Sequence, residues 1–204
     1  MKRTLMMAVL SAALAAPAAA QTGSPAAPKT HKATTTHQAK SGETSSGVAA
    51  SDKAFAHEAA VGGLTEVELG TLAKEKASSP DVKAFAERMV TDHGKANDEL
   101  KQWAEQHHVT LPTELDAKHK ATKDHLSNLS GDAFDKAYMR DMLQDHKEDV
   151  AKFRSESKTA KNPDLKSWAG NTLPTLEDHL KMAQDTASKV GVTTTASKGT
   201  PKKK

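Results

Sequence analysis

The 204-residue chain contains no cysteine, which excludes disulfides and thiolate metal sites, so any bound metal must rest on His, carboxylate or Met. Its net charge of +3 is the sum of unlike parts: residues 52–190 carry 20 Lys and Arg against 25 Asp and Glu, whereas both ends are basic. Those ends also differ from the middle in composition, which leaves room for one folded domain.

The start reads as an export signal. Met1-Lys2-Arg3 is a short basic region, Thr4 to Ala16 is mostly apolar, and Ala18-Ala19-Ala20 before Gln21 supplies small residues for cleavage. The apolar stretch falls short of the roughly 20 residues that span a bilayer, so residues 1–20 are expected to be removed and no transmembrane segment to remain. Residues 21–51, rich in Ala, Thr, Ser, Pro and Lys without apolar periodicity, cannot bury enough surface to offset chain entropy and read as a disordered linker. Residues 191–204, ending in Pro201-Lys202-Lys203-Lys204, read as a disordered basic tail. Such tails suit an anionic envelope surface, with no specific nucleic-acid signature.

The domain, residues 52–190, reads as helices throughout. Phe55, Ala59, Gly62, Leu69 and Ala73 form a helical stripe from Asp52 to Ala77, interrupted by Glu66. A second helix opens at Ser79-Pro80 and carries Val82, Phe85, Met89, His93, Ala96, Leu100 and Trp103 on one face as far as His107. A shorter helical pattern from Thr113 to Leu129 reads as a crossover. Ser130-Gly131-Asp132 then introduces a helix bearing Phe134, Tyr138, Met142, His146, Val150 and Phe153, and Asn162-Pro163 opens the last, with Leu165, Trp168, Leu176, His179 and Ala183. Pro174 within it removes one backbone bond and predicts a kink.

Two of these starts are copies. Ser79-Pro80-Asp81-Val82-Lys83-Ala84-Phe85-Ala86 is echoed by Asn162-Pro163-Asp164-Leu165-Lys166-Ser167-Trp168-Ala169. In each, a capping residue, a proline at the first helical position and an acid at the positive end of the dipole favour a helix N-terminus. Two helical hairpins joined by a long link predict an all-α, ferritin-like four-helix bundle with a short crossover helix between its second and third long helices. This reading sets the second and last helices parallel; a plain up-down bundle is the alternative if the middle helix packs as a fifth member.

Counting about 1.5 Å per residue from the repeated starts puts His93, His146, His179 and Glu66 at roughly 20, 21, 24 and 17 Å, one inward-reading polar residue per helix in a single layer. Imidazole nitrogen and carboxylate oxygen suit iron, manganese or zinc, with copper also tolerated. Four of the domain's eight histidines follow aspartate, and Asp92, Asp145 and Asp178 adjoin the layer, where helical geometry favours a supporting role over direct ligation. Glu68 is a reserve oxygen donor. Met89, Met139, Met142 and Met182 lie within two turns of these histidines, either as core filler or as soft copper ligands. The alternative is a hydrogen-bonded polar layer that fixes helix register in a metal-free interaction module with adhesive tails. Gly62-Gly63 reads as a close helix contact. No phosphate loop or nucleophile motif points to an enzyme.

The run Ala59-Ala60-Val61-Gly62-Gly63-Leu64-Thr65-Glu66-Val67-Glu68-Leu69-Gly70, with Arg88-Met89-Val90-Thr91-Asp92-His93 and Leu173-Pro174-Thr175-Leu176-Glu177-Asp178-His179-Leu180, resembles the bacterial domain-of-unknown-function family 4142 from about Ala54 to Lys189. The resemblance implies a ferritin-like bundle, exported and often labelled an outer-membrane protein, without an activity. The absence of a transmembrane β-strand pattern or lipidation cysteine favours the periplasm. Val90 and Leu176 stand where the di-iron pattern requires glutamates. Metal handling or an envelope-stress role is the expectation that results.

Overall fold

The structure, a computed structural model, describes residues 47–192; the expected leader, most of the linker and nearly all of the basic tail lie outside them. Five helices follow in order: α1 (Ala50–Lys76), α2 (Pro80–Gln106), α3 (Ala117–Ser127), α4 (Gly131–Thr159) and α5 (Pro163–Lys189). The four long ones form the bundle and α3 is the crossover helix. α5 continues through Pro174. No helix among the described residues is long and apolar enough to cross a membrane.

The helix directions correct one expectation. Trp103, near the end of α2, donates from Nε1 to Asn162 Oδ1 at the start of α5 over 3.0 Å, and Lys189 at the end of α5 pairs with Asp81 at the start of α2. α2 and α5 are therefore antiparallel. The cause lies in the link after α2, which returns down the length of the bundle before α4 begins: Lys76, ending α1, donates to the Ser127 and Leu129 carbonyls, which end the crossover. α4 thus sets off in the direction of α2, the single-crossover ferritin-like connection. The histidine layer survives because residues at mid-helix keep their height when a helix is inverted.

Each hairpin turn is held by a carboxylate from the other hairpin. Asp52 on α1 accepts from the Lys161 and Asn162 N–H groups, the latter at 2.6 Å, and Asp135 on α4 accepts from the Ser78 and Ser79 N–H groups at 3.1 and 2.8 Å. Both acids are buried. They satisfy amides that would otherwise be stranded at helix starts. Asn162 also caps its helix directly, through the Asp164 and Leu165 N–H groups, whereas Ser79 makes no side-chain cap and its turn relies on Asp135.

The core falls into two apolar clusters. One, at the α1–α2 turn, is built from Leu69, Phe85, Met89, Phe134, Tyr138 and Met142; the other, at the α4–α5 turn, from Phe55, Leu100, Trp103, Phe153 and Leu176. The histidine layer lies between them. Packing is closest within each hairpin and across α2 and α5, and sparse between α1 and α4. The close contact expected at Gly62-Gly63 is made by Gly63, where a Cβ would overlap the Asn97 side chain of α2, whereas one at Gly62 would meet nothing; a second close approach is at Gly70, where a Cβ would come within 2.9 Å of Val90 and 3.0 Å of the Ala86 carbonyl.

Candidate metal centre

His93 on α2, His146 on α4 and His179 on α5 converge between the two apolar clusters, with one ligand atom from each within 4.8 Å of the others. Their ring centroids lie 5.2 to 5.6 Å apart, and all three side chains are buried. Each follows the apolar stripe of its helix, one turn beyond Met89 on α2 and Met142 on α4, and so inherits an inward direction from the residues that make the core.

Hydrogen bonds fix which nitrogen two of the rings present. His146 Nδ1 lies 2.9 Å from the Met142 carbonyl and His179 Nε2 lies 2.9 Å from the Asp92 carboxylate. A carbonyl and an ionised carboxylate only accept, so these nitrogens carry the proton and the opposite ones carry lone pairs. Those opposite atoms, His146 Nε2 and His179 Nδ1, are buried without a partner among the described residues, and so is His93 Nε2. Buried polar atoms are rarely left unpaired, and these three histidines form a group that could hold a metal ion.

Electrostatics keep the rings neutral. Burial and mutual repulsion push His93 well below the ordinary histidine range, and burial drives His146 down to about 4. His179 is also lowered by burial, against the opposing pull of Asp92. Neutral imidazole is the ligating form. Solvent reaches the layer through a cleft of about 420 Å³ between α2 and α5, lined by His93, His179, Asp92, Arg88 and Thr175. Arg88 pairs with Asp92 and lowers that carboxyl, which keeps it ionised toward His179.

The remaining sequence candidates divide. Glu66 on α1 is buried, with Oε1 3.6 Å from His146 Nδ1, the proton-bearing side of that ring; it is outside the group whose donor atoms converge. Glu68 pairs with Lys123 of α3 at 2.7 Å, away from the layer. Asp178 is exposed, and Asp145 is half-buried in a cavity that none of the three histidines lines. Of the Asp-His pairs, Asp92 does support a histidine, but the one on α5 instead of its neighbour His93. Met89, Met139 and Met142 are fully buried in the apolar cluster below the layer. A residue missed from sequence is Tyr138, fully buried with its hydroxyl unpartnered among the described residues; at two turns before His146 it read only as part of the apolar stripe.

The chain belongs to the family described as a domain of unknown function, DUF4142, whose model matches residues 33–186. No curated protein sequence matches it. Among solved structures it is similar to a DUF305 fragment from Deinococcus radiodurans, at 12% identity and a TM-score of 0.62, covering 70% of this chain and 99% of that one. It is also similar to CopM in its Cu(II)-bound form, at 17% identity and a TM-score of 0.58, and in its Cu(I)-bound form at 0.57, each covering 68% of this chain and 96% of that one. At these identities the likeness shows the fold, a helical bundle.

Proposed function

We propose that the protein is an exported metal-handling bundle that binds one transition-metal ion through His93 Nε2, His146 Nε2 and His179 Nδ1. The observation that carries this reading is the set of three buried, unpartnered nitrogens from three helices, two of them with tautomers fixed by bonds on the far side of the ring. Imidazole suits zinc, copper, iron and nickel. An all-nitrogen set with no converging carboxylate turns the choice away from manganese. Copper is the first ion to test, because the similar fold of CopM carries Cu(I) or Cu(II) and the ring nitrogens here present no charge to repel a monovalent cation.

Within the site, His146 and His179 offer lone pairs held in place by Met142 and Asp92, and the two apolar clusters exclude water above and below. Glu66 supports His146 from behind and is the nearest oxygen donor. No second carboxylate pair accompanies it, so the chemistry that this layer favours is sequestration. The leader at residues 1–20 supports placement in the periplasm, where holding a redox-active ion in a buried site limits its damage; this role rests on analogy.

Elemental analysis of the full chain, purified and incubated separately with iron, manganese, zinc and copper, tests the reading. One equivalent of copper or zinc retained by the native protein and lost in the His93→Ala, His146→Ala, His179→Ala triple variant is the expected result. Retention of neither copper nor zinc, or equal retention of them by the variant, would overturn it.

A further inference from the structure

A cavity of about 180 Å³ opens in the seam where α1 and α4 barely touch. α1 lines it with His57 and Glu66, α4 with Asp145 and Asp149, and the start of α3 lines it with Asp116 and His119. None of the three layer histidines lines it. Its acidic side chains outnumber the basic ones that face them. Lys152 at the rim is engaged by Glu58, and Asp116 by His119 at 2.7 Å and by its own helix start, which leaves Lys118 facing Glu66, Asp145 and Asp149.

Glu66 provides an independent sign of a ligand. It is 2% exposed, and its Oε2 has no hydrogen-bond partner among the described residues. Burial, then the charges of Asp149 and Asp145, raise the Glu66 carboxyl well above the ordinary range, so this oxygen calls for a proton, a positive charge or water in reach.

The donor type and spacing define the occupant. Carboxylate oxygens favour hard cations such as magnesium, calcium or manganese over the soft ions that imidazoles take. The carboxylates do not close on a common point, since the histidine layer is the group of donor atoms within 4.8 Å among the described residues. An ion here is therefore held through its water shell, as small divalent cations that dehydrate reluctantly commonly are. The cavity has space for several waters. We propose that it is a second cation site, which holds a hydrated divalent cation between Glu66, Asp145 and Asp149 and is lined by none of the three layer histidines.

Manganese(II) alone is the probe, titrated into the full chain at neutral pH and followed by the fall of the free-ion electron paramagnetic resonance signal. The expected result is saturable binding, weakened roughly tenfold or more in the Asp145→Asn, Asp149→Asn variant and retained in the triple histidine variant. A free-ion signal undiminished at millimolar manganese overturns the proposal, as does binding that disappears with the histidines and persists in the asparagine variant. A measurement on the native chain guards against a misfolded variant: manganese should broaden the ring resonances of His57 and His119 before that of His107, which pairs with Asp164 at the α5 start. Equal broadening of all three would also overturn it. Because the copper and zinc experiment reads the layer and this one reads the seam, either can fail alone.

Discussion

Asp92 accepts a hydrogen bond from His179, 2.9 Å away on another helix, although His93 is its neighbour in sequence. Consecutive residues on a helix diverge by about 100°, so an inward His93 leaves Asp92 at the flank of α2, where the antiparallel α5 passes. That contact holds the His179 ring with Nδ1 toward the layer. Asp92→Ala should therefore weaken metal binding by about 10- to 100-fold, the usual effect of losing a partner behind a histidine ligand. Asp92→Asn, which still accepts, should fall between. A competition titration against a chelator checks this, and native affinity in the alanine variant would mean that packing alone orients the ring.

His146→Leu separates stability from binding. It removes a buried ring that stays neutral only because burial holds its pKa at about 4. The unfolded chain protonates this histidine near 6.5, so as pH falls from there toward 4 the unfolded state takes up a proton that the folded state refuses, and stability is lost. For this one group the loss is complete below about 4 and on the order of 3 kcal/mol. The leucine variant escapes it. In metal-free protein the variant should gain on the native chain steadily between pH 6.5 and 4, measured by denaturant unfolding. At neutral pH with copper in hundredfold excess over its dissociation constant, the native chain should instead gain about 2.7 kcal/mol that the variant does not. A stability difference independent of pH would contradict the neutral-ring account.

Asp149 runs in the opposite sense. Burial, then the charges of Asp145 and Glu148, push its carboxyl up to about 7. The folded state holds a proton that the unfolded chain releases near 4, so its unfavourable contribution appears as pH rises from about 4 and is complete above 7. Asp149→Asn should stabilise the protein at pH 8 by at least about 1 kcal/mol and converge with the native chain at pH 4. The comparison is made with a chelator present, so that no cation neutralises the seam. Lower stability of the asparagine variant at pH 8 would show that the carboxylate has a favourable partner there.

The layer was legible because each of its histidines lies on an apolar stripe with a period of three or four residues, and such a stripe dictates both helix and facing. Height was legible too, because a mid-helix residue stays at mid-height whichever way its helix runs. Direction was not. The relative sense of α2 and α5 depends on the path of the segment from His107 to Ser130, where the helical signal is short and carries no long-range register. Cross-helix polar contacts were equally hidden: Asp92 with His179, and Glu68 with Lys123, pair residues far apart in sequence whose partners only the packing selects. The Asp-His repetition marks His93, His146 and His179 but also His125 of α3, which lies outside the converging group, and it names no partner, since adjacent helical side chains diverge. Tyr138 was read as core, and its buried hydroxyl is a property of the surroundings that the sequence does not carry.

The two turn-holding carboxylates offer a test of the fold itself. Asp52 and Asp135 each accept two backbone N–H groups of the opposite hairpin's turn, so each ties one hairpin to the other at one end of the bundle. Alanine at either position strands those amides next to a buried site. Bonds to a charged acceptor contribute about 1.5–3 kcal/mol, so either substitution should cost on the order of 3 kcal/mol in denaturant unfolding. The ends of 27-residue helices lie about 40 Å apart, far beyond the range over which substitutions couple. The double variant should therefore lose the sum of the two, within about 0.5 kcal/mol. A shortfall well beyond that would mean that the clusters above and below the histidine layer do not unfold as one unit, and that this polar layer divides the bundle into two cooperative halves.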